Sequence, residues 1–149
     1  MAVGTLTLFE EFIGYLGTKK INLDADTIMF GIVNNTTVPT ADFATPVWAD
    51  FSANVHTTGA TNPITLSGVD YTEAAGDAPF KANSFTVAQS GSATGATTCW
   101  GIIYSDTATN KEAIGFVELG SIDLTAGQLD VKFAGVAVGS PGTIFTVTS

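Results

Sequence analysis

The sequence predicts a mainly β fold, an antiparallel β-sandwich or barrel-like domain with one short N-terminal α-helix, over residues 1–149. Three observations carry that expectation. After residue 26 the apolar runs are strand-sized and follow one another at regular spacing. The 16 glycines and 5 prolines fall mainly between those runs, where turns are needed. Only the start of the chain repeats at helical period.

That start places Phe9, Phe12, Ile13 and Leu16 on one apolar stripe and predicts a helix over about 7–17. Thr7 followed by Glu10 matches a capping box, and Gly17 offers a C-terminal stop. Glu10 and Glu11 in the first turn, with Lys19 and Lys20 just past the end, suit the helix dipole. The stripe is expected to pack on the domain's own sheet. Residues 27–33, Thr-Ile-Met-Phe-Gly-Ile-Val, form a near-continuous apolar run, the mark of a central strand buried on both faces.

The stretch from about 38 to 63 reads as irregular, broken by Pro39 and Pro46, with a short helical turn near Trp48–Phe51. Loops of that length in a compact domain are often functional or contact-making. Strands are then expected at 64–66, 69–72, 80–87, 98–104, 113–119, 129–133 and 143–148. Residues 129–133 and 144–148 show the alternation of half-exposed strands. The expected core draws on Phe9, Phe12, Leu16, Ile28, Phe30, Ile32, Phe85, Trp100, Ile102, Phe116, Val131 and Phe145.

Composition narrows the function classes. Hydrophobic residues make up 45% of the chain, which argues against disorder. Charged residues make up 13%, and the five basic ones, all lysine, face 14 acidic ones for a net charge of −9. Such a chain is repelled by phosphates, so no nucleic-acid partner is expected. No apolar run approaches the ~18 residues of a membrane span. Met1–Thr5 lacks a basic leader segment, so synthesis in a cytosol is expected. Scarce charge on an apolar chain fits either a threonine-rich hydrated surface or a surface covered in part by a partner.

Chemistry-bearing patterns are few. His56 lies in the polar stretch Asn54–Thr58 and reads as a solvated loop residue, with no Gly-x-Ser-x-Gly elbow to suggest a triad. Cys99, inside an apolar strand, reads as a buried inert thiol. Asp24-x-Asp26 opens like a calcium loop, but Met29 and Asn35 stand where glycine and glutamate are required. Asp70, Glu73 and Asp77 are scattered carboxylates, best read as a solvated acidic loop. Trp48, Phe51, Tyr71, Trp100 and Tyr104 suit a core better than a carbohydrate platform. Neither a dinucleotide fingerprint nor a Walker A sequence occurs, and neither enzyme activity nor a cofactor is expected.

The layout resembles that of small tailed-bacteriophage virion proteins, the head decoration or capsid cement family. The similarity rests on the amphipathic segment Leu8–Phe12, the strand Asp-Thr-Ile-Met-Phe-Gly-Ile-Val at 26–33 and the strand-to-turn run Ile103-Tyr104-Ser105-Asp106-Thr107. It continues through Ile114–Glu118, the connection Leu124-Thr125-Ala126-Gly127 and the aromatic-centred strand Gly142–Thr148. The segment 38–63 has no counterpart in it. The resemblance implies a non-enzymatic structural role on the capsid surface of a virion, made in the cytoplasm of a bacterial host. It also implies the major capsid protein as partner, a homotrimer and no cofactor. A tail or fibre component, or a glycan-binding adhesin domain, is the alternative. Contact with the partner is expected from Val38, Phe43, Val47, Trp48 and Phe51, large apolar groups in a segment without core periodicity. Apolar burial and strand addition at a sheet edge would then carry the binding.

Overall fold

A computed structural model describes residues 4–148. Residues 1–3 and 149 lie outside that range, and with them most of the Met1–Thr5 segment read for a leader. The fold is mainly β, with 40% strand and 9% helix, and its antiparallel sheets pack as a sandwich without closing into a barrel.

In chain order the elements are β1 (Leu6–Leu8), α1 (Phe12–Gly17), β2 (Ile28–Asn34), α2 (Ala49–Ser52), β3 (Ile64–Thr65), β4 (Asp70–Tyr71) and β5 (Asp77–Asn83). There follow β6 (Phe85–Val87), β7 (Thr97–Ser105), β8 (Ala113–Ile122), β9 (Leu129–Val131), a 3₁₀ turn (Phe133–Gly135) and β10 (Pro141–Thr148). The large sheet has five strands in the order β1-β8-β7-β2-β3. A three-stranded sheet runs β10-β5-β4, and β6 pairs with β9.

The large sheet is buried on both faces because its central strands are apolar on both. Toward the smaller sheets, Ile28, Phe30 and Ile32 of β2 and Ile103 of β7 meet Phe80, Ala82, Val87, Val131 and Phe133. On the opposite face, Val33, Trp100, Ile102, Tyr104 and Phe116 are covered by Phe9, Trp48 and Phe51, with Phe43 and Val55 at the margin. Apart from Phe9, which lies between β1 and α1, that cover is the irregular stretch 38–63, whose regular piece is α2. The expectation of a doubly buried central strand therefore holds for β2, and its physical consequence is a three-layer core.

Two glycines make the layers fit. A Cβ on Gly31 would overlap the far edge of the Trp48 indole, and one on Gly101 would overlap the Phe30 ring. Each glycine is a hole in its strand, one on each face, into which an aromatic ring settles. Trp48 then stacks flat on Tyr104, with centroids 4.6 Å apart and planes 6° from parallel.

Three local expectations are corrected. The N-terminal helix is shorter than 7–17: Leu6–Leu8 is a strand, registered Leu6 to Val117, Thr7 to Phe116 and Leu8 to Gly115. Thr7 therefore sits in a ladder rather than at an N-cap, and the helix begins after Glu11 without a side-chain cap. An isolated helix of this length is barely stable in water, whereas the edge of β8 offers strand pairing. The helical stripe shifts accordingly, with Tyr15 buried, Leu16 half-buried and Ile13 68% exposed. The run 80–87 is also two strands in two sheets, broken at Ser84. That residue is buried, accepts the Phe133 N–H on Oγ at 3.0 Å and donates its own N–H to Ser140 at 3.0 Å.

Candidate functional site

The structure separates the five expected contact residues. Val38 is 47% exposed. Phe43 is half-buried, its ring 5.2 Å from that of Phe51. Val47 is half-buried and bridges Glu112 through backbone. Trp48 and Phe51 are core residues, Phe51 fully enclosed, and cannot meet a partner without unfolding. The expectation of a Trp48–Phe51 contact surface is thus corrected. The apolar groups lack periodicity because they cap a sheet from a loop, not because they face outward. The same burial removes Trp48, Phe51, Trp100 and Tyr104 from any carbohydrate platform.

An apolar cleft open to solvent lies elsewhere. A cleft of about 490 Å³ runs between the large sheet and the β9–β10 side of the sandwich. Phe30 and Ile103 line it from the central strands, Leu6, Val117 and Leu119 from β1 and β8, and Leu129 and Ile144 from β9 and β10. Asp130 and Lys132 also line it, the Asp130 carboxylate held by the Thr86 hydroxyl at 2.7 Å and the Gln128 amide at 3.0 Å. β1 is the outer strand of the large sheet, and β10 is an outer strand of the three-stranded sheet. A sheet edge presents backbone N–H and C=O groups to an incoming strand, so apolar walls and strand edges meet at this cleft. The alternation at 129–133 and 144–148 was the sequence signal for these walls, because every second residue of such a strand turns inward.

Two polar hollows lie on other parts of the surface. One, of about 590 Å³, gathers Tyr15, Lys20, Asp50, Asn110 and Glu112. The buried Glu112 carboxylate is engaged by the Asn110 backbone N–H at 3.1 Å and side-chain amide at 3.2 Å. Burial, and after it the charges of Glu11, Glu112 and Asp50, push the Tyr15 phenol above its ordinary value. The other, of about 360 Å³, is lined by Asn34, Asn35, Thr36, Thr57, Thr94, Thr97 and His56. His56 is 2% exposed, so the expectation of a solvated histidine is corrected. The strip carrying it is laid along the edge of β2, with the His56 N–H donating to the Ile32 carbonyl at 2.9 Å.

The remaining candidates are engaged locally. Asp70 accepts the Thr72 hydroxyl at 2.6 Å, and Glu73 accepts the Gly76 N–H at 2.8 Å. Among the described residues no cluster of histidine, cysteine and carboxylates is arranged to hold a metal ion. Cys99 is buried, and burial pushes its thiol up to about 11. Among the described residues no helix is long and apolar enough to cross a membrane. No protein-family model, curated protein or solved structure matches this chain.

Proposed function

We propose that this protein is a non-enzymatic structural component of a tailed-phage virion, a capsid decoration (cement) protein that binds the outside of the major capsid lattice and stabilises the head. The observation that carries the reading is the open apolar cleft flanked by two sheet edges on an acidic, arginine-free chain. The segments bearing the resemblance fold as parts of one sandwich: 26–33 supplies β2, 114–118 lies in β8, and 142–148 lies in β10. The contact surface assigned to them is the cleft rather than the 38–51 loop. At net charge −9 the protein has few cations for ion pairing, so attachment rests on apolar burial and backbone hydrogen bonds. Copies bound only to the assembled shell stabilise it by mass action. The proposal includes a homotrimer, closed to match a symmetry axis of the shell, with neither nucleic acid nor membrane as partner.

The test is co-sedimentation of the purified protein with expanded capsids. Raising salt from 0.1 M to 1 M shortens the Debye length from ~10 Å to ~3 Å and leaves apolar contacts intact. Retention is expected to hold across that range. Leu129→Lys, in the cleft wall, is expected to weaken binding at least tenfold at unchanged circular dichroism, while Val38→Lys binds normally. Protein stripped by salt alone, with Leu129→Lys binding as the native chain does, would overturn the mechanism. A virion reconstruction with a few copies at the tail, rather than many on the shell, would favour the tail or fibre alternative.

A further inference from the structure

His56 is the only histidine of the chain. Its Nε2 is sealed from solvent and makes no hydrogen bond, and it is the one buried side-chain nitrogen or oxygen so placed among the described residues. Native interiors rarely leave such an atom unpaired, so its presence asks for a reason. The backbone around it is tightly stitched. Asn62 donates its side-chain amide to the carbonyls of His56 and Ile32, each at 2.8 Å, and its Oδ1 accepts the Ile32 N–H at 2.9 Å. Asn34 N–H reaches the Asn54 carbonyl at 2.9 Å, and Thr94 N–H reaches the Thr57 carbonyl at 2.8 Å. The strip 54–56 thus carries the β3 pairing further along the same edge of β2, with the imidazole enclosed behind it.

The surroundings hold no counter-charge. Residues 27–41, 51–69 and 82–105, which supply the strip, β2, β7 and the loop before β7, contain no charged side chain. The titratable groups on the elements packed here are three. The Tyr104 phenol on β7 is neutral, pushed up to about 12 by burial and then by the charge of Asp106. The Cys99 thiol on β7 is neutral, pushed up to about 11. The Asp123 carboxylate is already held by the Thr125 hydroxyl at 2.5 Å and by the backbone N–H groups of Thr125, Ala126 and Ala96. Beside the ring, however, lies the hollow lined by Asn34, Asn35, Thr36, Val55, Thr57, Thr94 and Thr97. Its threonine hydroxyls can accept from an imidazolium, and so can the second lone pairs of the Asn34 and Asn35 amide oxygens, which already take the Thr36 N–H and the Trp100 Nε1–H.

We propose that His56 is a proton-operated latch on the layer that covers the large sheet. On mild acidification the imidazole takes a proton from solvent. Its closed seat cannot hold the charge, and the strip 54–58 parts from β2 as the ring turns into the polar hollow. Burial alone sets the direction, lowering the imidazole below its ordinary value of 6.5. The closed state therefore prefers the neutral ring. Its stability is fully present above about pH 6.5 and is lost as the pH falls from there toward the lowered value of the closed state. One proton of linkage allows up to about a tenfold rise in the open fraction per pH unit across that window.

The window is clean in one respect, because the chain has no other histidine. The experiment follows the His56 ring by NMR titration of the full chain, and hydrogen exchange of the 54–58 amides at pH 7.5 and 5.5, corrected for the intrinsic pH dependence of exchange. The ring is expected to titrate below 6.5, and the open fraction of the strip to rise about tenfold between the two pH values. His56→Phe and His56→Gln are expected to exchange equally at both. A ring that titrates at or above 6.5 overturns the proposal whether or not the variants fold. So does a strip that keeps its protection at pH 5.5, or a variant that loses it as the native chain does.

Discussion

Gly31 and Trp48 form a lock that a double-mutant cycle can open. Gly31 faces the covered side of β2, and the Cβ of an alanine there would occupy the space of the Trp48 indole edge. The backbone does not demand glycine, since Gly31 is absent from the residues with positive φ. In the native chain Gly31→Ala is therefore an overpacking change, expected to cost about 1–3 kcal/mol. Trp48→Ala removes a buried ring stacked on Tyr104 and is expected to cost about 3–5 kcal/mol, a large share of the ~5–15 kcal/mol that holds a domain of this kind. In the Trp48→Ala background the obstruction is gone. Gly31→Ala should then stabilise by about 0.5–1 kcal/mol, because alanine loses less backbone freedom than glycine on folding. The sign reversal amounts to a coupling of about 1.5–4 kcal/mol. Urea denaturation followed by far-UV circular dichroism measures it without relying on the fluorescence of the replaced tryptophan. If the two changes add within ~0.5 kcal/mol, Trp48 does not occupy the Gly31 hole and the covering layer is misplaced.

Ser84→Ala should cost about 1–3 kcal/mol in the same assay, because it leaves the Phe133 N–H without its acceptor inside the protein. A loss under ~0.5 kcal/mol would mean that the break between β5 and β6 does not depend on that hydroxyl. Cys99 should resist a thiol reagent in the native chain at pH 8 and react at once in urea. Because its folded thiol is raised from about 9 to about 11, the associated stability is present below pH 9 and lost as the pH climbs through 11, so the urea midpoint should fall over that interval.

The elements read correctly from sequence are those in which local pattern and tertiary demand agree. β2 shows this best: seven residues with hardly a polar group can only lie between two layers, and they do. The errors fall where a nearby sheet edge or a single side chain decides. Thr7 and Glu10 spell a capping box, yet β8 is the longest strand, and its outer edge takes Leu6–Leu8 into a ladder before a helix can start. Residues 80–87 look like one strand by length and composition, although the apolar phase flips from Phe80 and Ala82 to Phe85 and Val87 across Ser84. The break depends on Ser84 meeting residues 133 and 140, far along the chain and invisible to a local window.

The layering also explains why the wrong residues looked like a contact surface. Trp100, Ile102 and Tyr104 point to the face opposite Ile103, so apolar residues on both faces of β7 already required a second cover. A chain with few helices has little left to supply it but the long loop. Trp48 and Phe51 are therefore aperiodic because a loop places each ring individually over a hole in the sheet. The same reasoning bears on the scarcity of charge. Central strands buried on both sides consume apolar residues without exposing any, so much of the hydrophobic content is accounted for inside the fold. Besides the separate exposed side chains Ile13, Val38, Val138 and Val147, an open apolar surface remains at the cleft, bounded by β1 and β8 on one side and β9 and β10 on the other. A partner seeking apolar burial on this chain has that surface to meet, and a net charge of −9 over the whole chain disfavours one that brings an acidic face.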